Sequence, residues 1–362
     1  MKLIHCADLH LDSRMTANLP PEKARVRRQE ILHTFERMVE YAAKEDVSAI
    51  LIAGDLFDTK TILAGTKNVV LSSIANHPEI RFYYLRGNHD RDNFLTGLEK
   101  IPDNLKLFKD TWTTYEEGRV TITGVELETA DPAAVYASLV LPSDRYNIVM
   151  LHGQETESGS KDRAEIIQLR ALRNKEIDYL ALGHIHAFKE EKLDARGTYC
   201  YPGCLEGRGF DECGTHGFVL IDVPDAGEAV RTFVPFAYRT LHELSVDVTG
   251  CLTSFEIGRK IDEKIEAEKI PEKDLLKIVL TGQTDVSCEK NLDYLESRLN
   301  RFYFVKVTDG TELVVRFEDY ANDPSLKGEF FRTVMADENF SEDEKLQILR
   351  YGFKALAGED LS

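Results

Sequence analysis

Residues 48–58, SAILIAGDLFD, contain the strand and the acidic turn around which the rest of the chain is arranged. The apolar run AILIA is too short for a typical helix and ends at Gly54, which predicts a fully buried strand of a parallel sheet. Asp55 follows directly, and burying its carboxylate unpaired would cost roughly several kcal/mol. The sequence therefore predicts that Asp55 has a binding partner at the end of this strand.

Four more apolar runs end in polar residues that suit such a partnership. The runs are residues 3–7, 82–85, 148–151 and 179–182. The polar residues that follow them are Asp8, His10, Asn88, His89, His152, His184 and His186. Because open α/β sheets place their sites beyond the carboxyl ends of parallel strands, we expect these residues to meet Asp55 at one edge of a sheet.

The composition is that of a globular protein with two or three domains. The chain has 362 residues, of which 43% are hydrophobic, and a formal net charge of −18. A protein with this net negative charge does not attract DNA as a whole, so any DNA binding must rest on local basic patches, metal ions or a partner. The six cysteines show no disulfide framework, and no apolar run approaches the roughly 20 residues of a membrane span. We expect a soluble cytoplasmic protein without a signal peptide.

The spacing of apolar residues predicts several architectures along the chain. Helices over about 22–44 and 66–75 alternate with strands up to residue 85, which indicates βαβ units and a parallel sheet. Shorter alternation over 111–125 predicts a second, antiparallel sheet, and a helix is expected over about 164–172. A βαβαβ pattern over about 240–316 predicts a small α+β domain, and the remaining tail is predicted to be helical.

The residues at the strand ends are predicted to be the ligands of a two-metal centre. Carboxylates, imidazoles and one amide carbonyl suit manganese, iron or zinc, and the absence of cysteine from the set argues against a structural zinc site. Two metals that share one carboxylate about 4 Å apart can activate a water and bind a phosphoryl oxygen. Any one of these short motifs can occur by chance, and a single histidine at the end of a strand is usually a core residue. Five motifs in this order indicate a two-metal site.

This order of motifs resembles the calcineurin-like metallophosphoesterase superfamily. Residues 201–206, YPGCLE, and residues 209–212, GFDE, are similar to the segment that follows the last histidine pair in its SbcD family. The resemblance implies a four-layer αββα sandwich over residues 1–238, an α+β capping domain over 239–316 and a helical, ATPase-binding tail over 317–362. Cys204 stands where the family usually has serine, outside the ligand set.

The resemblance also implies a role for each site residue. The first metal ion would be bound by Asp8, His10, Asp55 and His186, and the second by Asp55, Asn88, His152 and His184. Both ions are expected to be manganese. His89 would face the scissile phosphate, and Asp58 would lie near the substrate, with a loop cap as its alternative role. Arg14, Arg91 and Arg208 could meet DNA phosphates or balance nearby acidic charge.

The function implied by the resemblance is that of a DNA exonuclease and endonuclease subunit. It would act on double- and single-stranded DNA in double-strand break repair and in processing DNA ends or hairpins. Its expected partner is an SbcC-like ABC-type coiled-coil ATPase, with the nuclease as a homodimer within a heterotetramer and no membrane contact. The alternative is a stand-alone phosphoesterase for small nucleotide phosphodiesters, which the acidic net charge favours. An inactive scaffold is a third hypothesis, but every ligand position holds a competent residue.

Overall fold

The computed structural model describes the chain except residues 16–18, 59–61, 91–94, 96–97, 99, 128–131, 157–165, 287, 315–319 and 358–362, and describes 132, 133 and 354 by backbone alone. The chain divides into two compact units, Met1–Thr240 and Leu241–Ser362. The domain boundaries after residues 238 and 316 stay predictions. Within the described ranges, we find no helix with the length and apolar character needed to cross a bilayer.

The first unit alternates strands and helices in its amino-terminal third and is richer in strands thereafter. In chain order its elements are β1 (Lys2–Cys6), α1 (Pro21–Lys44), β2 (Ala49–Ala53), α2 (Ala64–Ala75), β3 (Arg81–Leu85), β4 (Leu105–Leu107), β5 (Thr113–Glu117), β6 (Val120–Gly124), α3 (Pro132–Ala137), β7 (Tyr146–His152), β8 (Gln154–Thr156), β9 (Ile166–Gln168), α4 (Leu169–Leu172), β10 (Tyr179–Gly183), β11 (Lys189–Lys192), β12 (Thr198–Tyr201), β13 (Gly217–Asp222) and β14 (Val230–Pro235).

Two six-stranded sheets form the centre of this unit. The first has the order β14-β13-β1-β2-β3-β4, and the strands β1 to β4 are parallel, as predicted. The second has the order β11-β12-β10-β7-β6-β5. The prediction that it is antiparallel is wrong for its centre, since β6, β7, β10 and β12 are parallel. The tight turn after β5 makes only a local antiparallel hairpin, whereas longer crossovers return the chain in the same direction.

The two sheets pack face to face, and helices cover their outer faces. Leu51 of β2 and Ile148 of β7 are among the fully buried residues of the core between the sheets. Helix α1 buries one face that includes Ile31, Phe35 and Met38, which confirms the predicted amphipathic helix. Short helices α3 and α4 contribute to a second core on the outer face of β7 and β10. The predicted αββα sandwich is therefore confirmed.

The site residues come from both sheets and not from the edge of one. Strands β1, β2 and β3 lead into Asp8, Asp55 and Asn88, whereas β7 ends at His152 and β10 leads into His184. The expectation of a single sheet edge is thus corrected. The carboxyl ends of these strands nevertheless meet at one place, since the ligand atoms of Asp8, Asp55 and His152 lie within 4.8 Å of one another.

The helix expected over 164–172 is shorter than predicted. Residues Ile166–Gln168 form a strand paired with β8, and only Leu169–Leu172 is helical, while 164 and 165 lie outside the described residues. The β-branched pair Ile166 and Ile167 favours extended backbone, and Ile167 is fully buried. Over so short a run, the apolar residues of a buried strand and of a buried helix have similar spacing, so the sequence pattern does not distinguish the two.

The second unit contains the predicted βαβαβ pattern. In chain order its elements are β15 (Leu241–Asp247), α5 (Ser254–Glu268), β16 (Leu275–Thr281), β17 (Gln283–Asp285), α6 (Leu292–Arg298), β18 (Phe304–Asp309), β19 (Glu312–Val314), α7 (Leu326–Ala336) and α8 (Glu342–Ala357). Strands β15, β16 and β18 form a parallel sheet, and α5 buries Ile257, Ile261 and Ile265 against it. Helices α7 and α8 pack on each other through a cluster that includes Phe331 and Leu349.

Candidate metal centre

The backbone at the strand ends is held in conformations that L-residues rarely adopt. Asp8, His10 and Asp55 have φ angles of 53°, 46° and 51°, and His184 has a φ of 103°. Each such residue costs roughly 1–3 kcal/mol, which the surrounding structure has to offset. The four residues share this strain because the chain turns sharply beyond the ends of buried strands while the side chains of these residues point into the site.

Two glycines let the strand ends approach one another. A Cβ atom on Gly54 would lie 2.1 Å from His152 Nδ1, and one on Gly87 would lie 2.1 Å from Asp55 Oδ1. Gly54 also has a φ of 95°, which favours glycine by itself. Both glycines therefore allow the close packing of the site, and Gly54 also allows the turn after β2.

One group of candidate ligands consists of Asp8, His10 and His186, called the His10 side below. Their ligand atoms all lie within 4.8 Å of one another. The Nε2 atoms of His10 and His186 face each other at 3.2 Å, and His186 Nε2 lies 4.0 Å from Asp8 Oδ1. The carboxylate of Asp8 is fixed because it accepts from the backbone N–H of His184 at 3.0 and 2.9 Å.

A second group consists of Asp55, Asn88 and His152, called the His152 side below. His152 Nε2 lies 3.0 Å from Asn88 Oδ1 and 3.4 Å from Asp55 Oδ2. Asp55 Oδ2 also lies 3.8 Å from His10 Nε2, so this carboxylate stands between the two sides. Its other oxygen accepts from the backbone N–H of His89 at 2.9 Å.

The hydrogen bonds of the rings show what could occupy the space between these groups. His152 Nδ1 lies 2.9 Å from the carbonyl oxygen of Ala53, so Nδ1 carries a proton. In the neutral ring, the lone pair of Nε2 then points at two oxygens that can only accept. Three acceptors around one point fit a divalent cation of the borderline class, for which imidazole, carboxylate and amide oxygen are suitable ligands.

The electrostatics of the cluster are consistent with a bound cation. Burial raises the pKa of Asp8 to about 6, against the opposing charges of His152 and His186. Burial disfavours the charged ring of His152, but the hydrogen bond and charge of Asp55, with the charge of Asp8, raise its pKa to about 9. Burial lowers the pKa of His10 to about 4. A cation would replace the proton that the cluster otherwise draws onto His152.

The remaining predicted residues lie at the border of these groups. The ring of His184 packs edge-on against His152, with 5.4 Å between centroids. His89 is the most open member, with 44% of its side chain exposed, and its ring packs edge-on against His10 at 5.1 Å. Asp58 Oδ1 lies 3.1 Å from His10 Nδ1 and 3.6 Å from His89 Nδ1. His10, Asp58 and His89 form a third close set of candidate ligand atoms.

Sequence reasoning missed Glu212 behind His186 and named Arg208 only for DNA contact or for balancing nearby acidic charge. Glu212 Oε1 lies 2.7 Å from His186 Nδ1, and Arg208 bonds both Glu212, at 2.8 Å, and Asp58, at 3.3 Å. Of the arginines suggested for DNA contact, Arg208 is thus engaged within the site, Arg14 is exposed, and Arg91 lies outside the described residues. Glu212 is the last residue of the segment GFDE, and the similarity of that segment to the SbcD family is the one sequence feature that points to this residue.

Asp90 and Cys204 have roles in the frame of the site. The Asp90 carboxylate accepts backbone N–H groups of Leu56, Phe57 and Gly87 at 3.1, 2.9 and 3.1 Å, which ties together the turns after β2 and β3. Cys204 Sγ lies 3.2 Å from His216 Nδ1, in a buried position.

The comparison with known families identifies the class. Residues 1–188 match the family of calcineurin-like phosphoesterases, and the chain belongs to it. Members of this family are metal-dependent hydrolases of phosphoesters that bind two divalent metals, and the candidate ligand groups of this chain lie within the matched residues.

Individual relatives are similar over different lengths. The chain is 29% identical over 271 residues to the uncharacterized metallophosphoesterase YhaO of Bacillus subtilis, covering 69% of this chain and 64%, less than two thirds, of that protein. It is 27% identical over an alignment of 380 residues to the DNA double-strand break repair protein Mre11 of Sulfurisphaera tokodaii, covering 96% of this chain and 92% of that one. The solved structure of a dimetal phosphatase from Danio rerio aligns with 65% of this chain and 99% of its own chain. The two sequences are 11% identical in that alignment, and the TM-score is 0.40.

Proposed function

We propose that this chain is the nuclease subunit of an SbcCD-like complex. It would hydrolyse DNA phosphodiester bonds with two manganese ions, in double-strand break repair and in the processing of DNA ends or hairpins. The observation that carries the proposal is the alignment with a DNA double-strand break repair protein over 96% of this chain. That alignment includes the second unit, Leu241–Ser362, which a phosphoesterase of small substrates would not need.

The proposed ligands follow the two sides of the site. Asp8, His10, Asp55 and His186 would hold one ion, and Asp55, Asn88, His152 and His184 the other. Bound there, two such ions lower the pKa of a water molecule and neutralise charge on a phosphoryl group. Asp55 is the proposed shared ligand, since its Oδ2 lies 3.4 Å from His152 Nε2 and 3.8 Å from His10 Nε2.

His89 is proposed to contact the scissile phosphate. Its exposed ring stands at the border of the buried cluster, where a substrate can reach it, and Asp58 Oδ1 lies 3.6 Å from its Nδ1. A positive imidazole there would stabilise negative charge or protonate the leaving oxygen. For Asp58 we propose a positioning role, because its carboxylate faces His10, His89 and Arg208.

A direct assay separates this function from that of a phosphoesterase for small substrates, which the net charge of −18 favours. The purified protein is incubated in manganese with labelled duplex DNA, single-stranded DNA and, separately, bis-p-nitrophenyl phosphate. We expect cleavage of DNA, and loss of that cleavage on chelation. Hydrolysis of the small diester with intact DNA would contradict the proposal and favour the alternative.

The carboxy-terminal helices are the proposed binding site for the ATPase. The alternative is that these helices pack only on their own domain. Part of their apolar surface does pack within the unit, including Phe331, Leu349 and Phe353. Another part stays open: Phe340 and Tyr351 are 42% and 52% exposed and line one groove with Ile348. An amphipathic helix pair of this kind suits a coiled coil laid into its groove.

Tyr351→Glu tests this partner. The variant should keep manganese-dependent cleavage of single-stranded DNA and lose at least about tenfold in affinity for an SbcC-like ATPase, since a charge would enter an apolar contact. Val230→Glu is the matched control, because Val230 is also exposed but lies on β14 of the first unit. Full ATPase binding by Tyr351→Glu would contradict the proposed surface. The same proposal includes a homodimer within a heterotetramer, located in the cytoplasm.

A further inference from the structure

The Nδ1 atom of His186 hydrogen-bonds to a carboxylate, and the Nδ1 atom of His10 lies close to one. Asp58 Oδ1 lies 3.1 Å from His10 Nδ1, and Glu212 Oε1 lies 2.7 Å from His186 Nδ1. A ring nitrogen that faces a carboxylate carries the ring proton, so the opposite nitrogen keeps its lone pair. Both Nε2 atoms then present lone pairs to the same space, and at a separation of 3.2 Å these repel each other unless a cation lies between them.

One arginine joins these two carboxylates. Arg208 reaches Asp58 with Nη1 at 3.3 Å and Glu212 with Nη2 at 2.8 Å. The backbone N–H of Arg208 donates to the other Glu212 oxygen at 2.7 Å. Both side chains are largely buried, with 16% of Arg208 and 6% of Glu212 exposed. A planar guanidinium can bind two carboxylates in fixed directions, which an ammonium group cannot do.

The His152 side is independent of this arrangement. There the Nδ1 proton goes to the carbonyl oxygen of Ala53, at 2.9 Å. The backbone of β2 holds that carbonyl, and within the part of the chain that the structure describes neither Arg208 nor Glu212 hydrogen-bonds to His152. A change at Arg208 or Glu212 should thus affect one side only.

We infer that Arg208 and Glu212, with Asp58, are positioning residues that fix the orientation and tautomer of His10 and His186 for one of the two metal ions. This inference rests on the proposed two-metal site. Residues that hold metal-binding histidines in this way set metal affinity by about 10- to 100-fold. Arg208 and Glu212 do not themselves contact the substrate or the metal in this assignment.

Manganese titration of the full-length protein, followed by calorimetry, tests the inference. The wild type should bind two ions. Glu212→Gln and Arg208→Gln should weaken one ion by about 10- to 100-fold and leave the other within about twofold. Arg208→Lys should recover part of the lost affinity, because it keeps the charge without the fork. The matched control is Arg196→Gln, which removes an arginine paired with Asp178 at the opposite end of β10.

A double-mutant comparison identifies the affected side. Glu212→Gln should add nothing to the loss caused by His186→Ala, but should add its full loss to that caused by His152→Ala. Equal weakening of both ions by Glu212→Gln, or no weakening by either variant, would overturn the inference. Fewer than two ions bound to the wild type would also overturn it.

A second readout needs no metal and covers a variant that binds poorly. Nitrogen-15 spectra of the imidazoles should show His186 protonated at Nδ1 in the wild type and shifted towards the Nε2 tautomer in Glu212→Gln. An unchanged tautomer in the folded variant would count against the inference. DNA cleavage is read separately: two tightly bound ions without DNA cleavage would defeat the proposed nuclease function and leave the positioning roles standing.

Discussion

The two sides of the candidate metal centre hold their histidines by different means. On the His152 side the ring is held by a backbone carbonyl, that of Ala53 at 2.9 Å. On the His10 side the Glu212 carboxylate holds the His186 ring and the Asp58 carboxylate lies 3.1 Å from the His10 ring, and Arg208 connects the two carboxylates. A backbone carbonyl is fixed by the sheet and carries no net charge, whereas a carboxylate adds charge and depends on distant residues. One side is therefore built into the fold, and the other depends on a network of side chains.

The difference has an electrostatic consequence. The carboxylates of Asp55 and Asp8 draw a proton onto His152, whose pKa is raised to about 9 although burial opposes this. Burial lowers the pKa of His10 to about 4. Burial of His186 also opposes its charged form, but the hydrogen bond to Glu212 raises the pKa of that ring. The two sides should thus bind metal with different dependence on pH.

The largest expected effect follows removal of the carboxylate that both sides share. Asp55→Asn keeps the shape of the side chain but loses a charge next to both His10 and His152. Both manganese ions should be lost together, and cleavage should fall by about 10³-fold or more, since each ion supplies several kcal/mol of stabilisation. Metal analysis and a cleavage assay measure this, with Asp178→Asn at the far end of β10 as control. Two retained ions with near-normal cleavage would show that Asp55 is not a shared ligand.

A smaller effect is expected for His89, which belongs to neither side in the proposed assignment. His89→Gln should reduce cleavage by about 10²-fold, the scale of a general acid or a charge-stabilising donor, while both ions stay bound. His33→Gln is the matched control, because His33 is an exposed histidine on α1. Loss of an ion together with the His89 ring would instead make His89 a ligand, as its place beside His10 and Asp58 permits.

The smallest effect separates the two sides by pH. Below pH 9 an ion on the His152 side has to displace a proton, since the pKa of that ring is about 9. Its affinity should therefore rise about tenfold per pH unit from pH 7 to 8.5, as expected for release of one proton. The His10 side should change less, because its His10 ring is already neutral and only the His186 ring, whose pKa is raised, has a proton to release. Manganese titrations at three pH values measure both slopes, and equal slopes would show that the sides do not differ.

The fold followed from the sequence where the signal was local. The short apolar runs before Asp8, Asp55, Asn88, His152 and His184 are all strands that end or turn at those residues. Helix α1 and the βαβαβ pattern of the second unit were likewise readable from period and turn residues. Where the run was short, as at residues 164–172, strand and helix could not be separated, because two turns of helix and one buried strand give similar apolar spacing.

The candidate site was predictable in membership but not in geometry. The predicted ligands do lie around one place, although they come from two facing sheets. The pairing of Arg208 with Asp58 joins residues 150 positions apart, and that of His186 with Glu212 joins residues 26 positions apart with β11 and β12 between them. The spacing of residues in the sequence does not predict such pairings, because the side chains meet only after both sheets have packed.

The sequence by itself determined which residues stand at the ends of buried strands, since apolar runs, glycines and polar ends are local properties of the chain. It also determined the resemblance that indicates a two-metal phosphoesterase. Only the tertiary structure decided that the ligands come from two sheets, that Ala53 holds one histidine, and that Glu212 and Arg208 stand behind the other side. The physical reason is that hydrogen bonds between side chains depend on distances of about 3 Å, which sheet packing sets and sequence spacing does not.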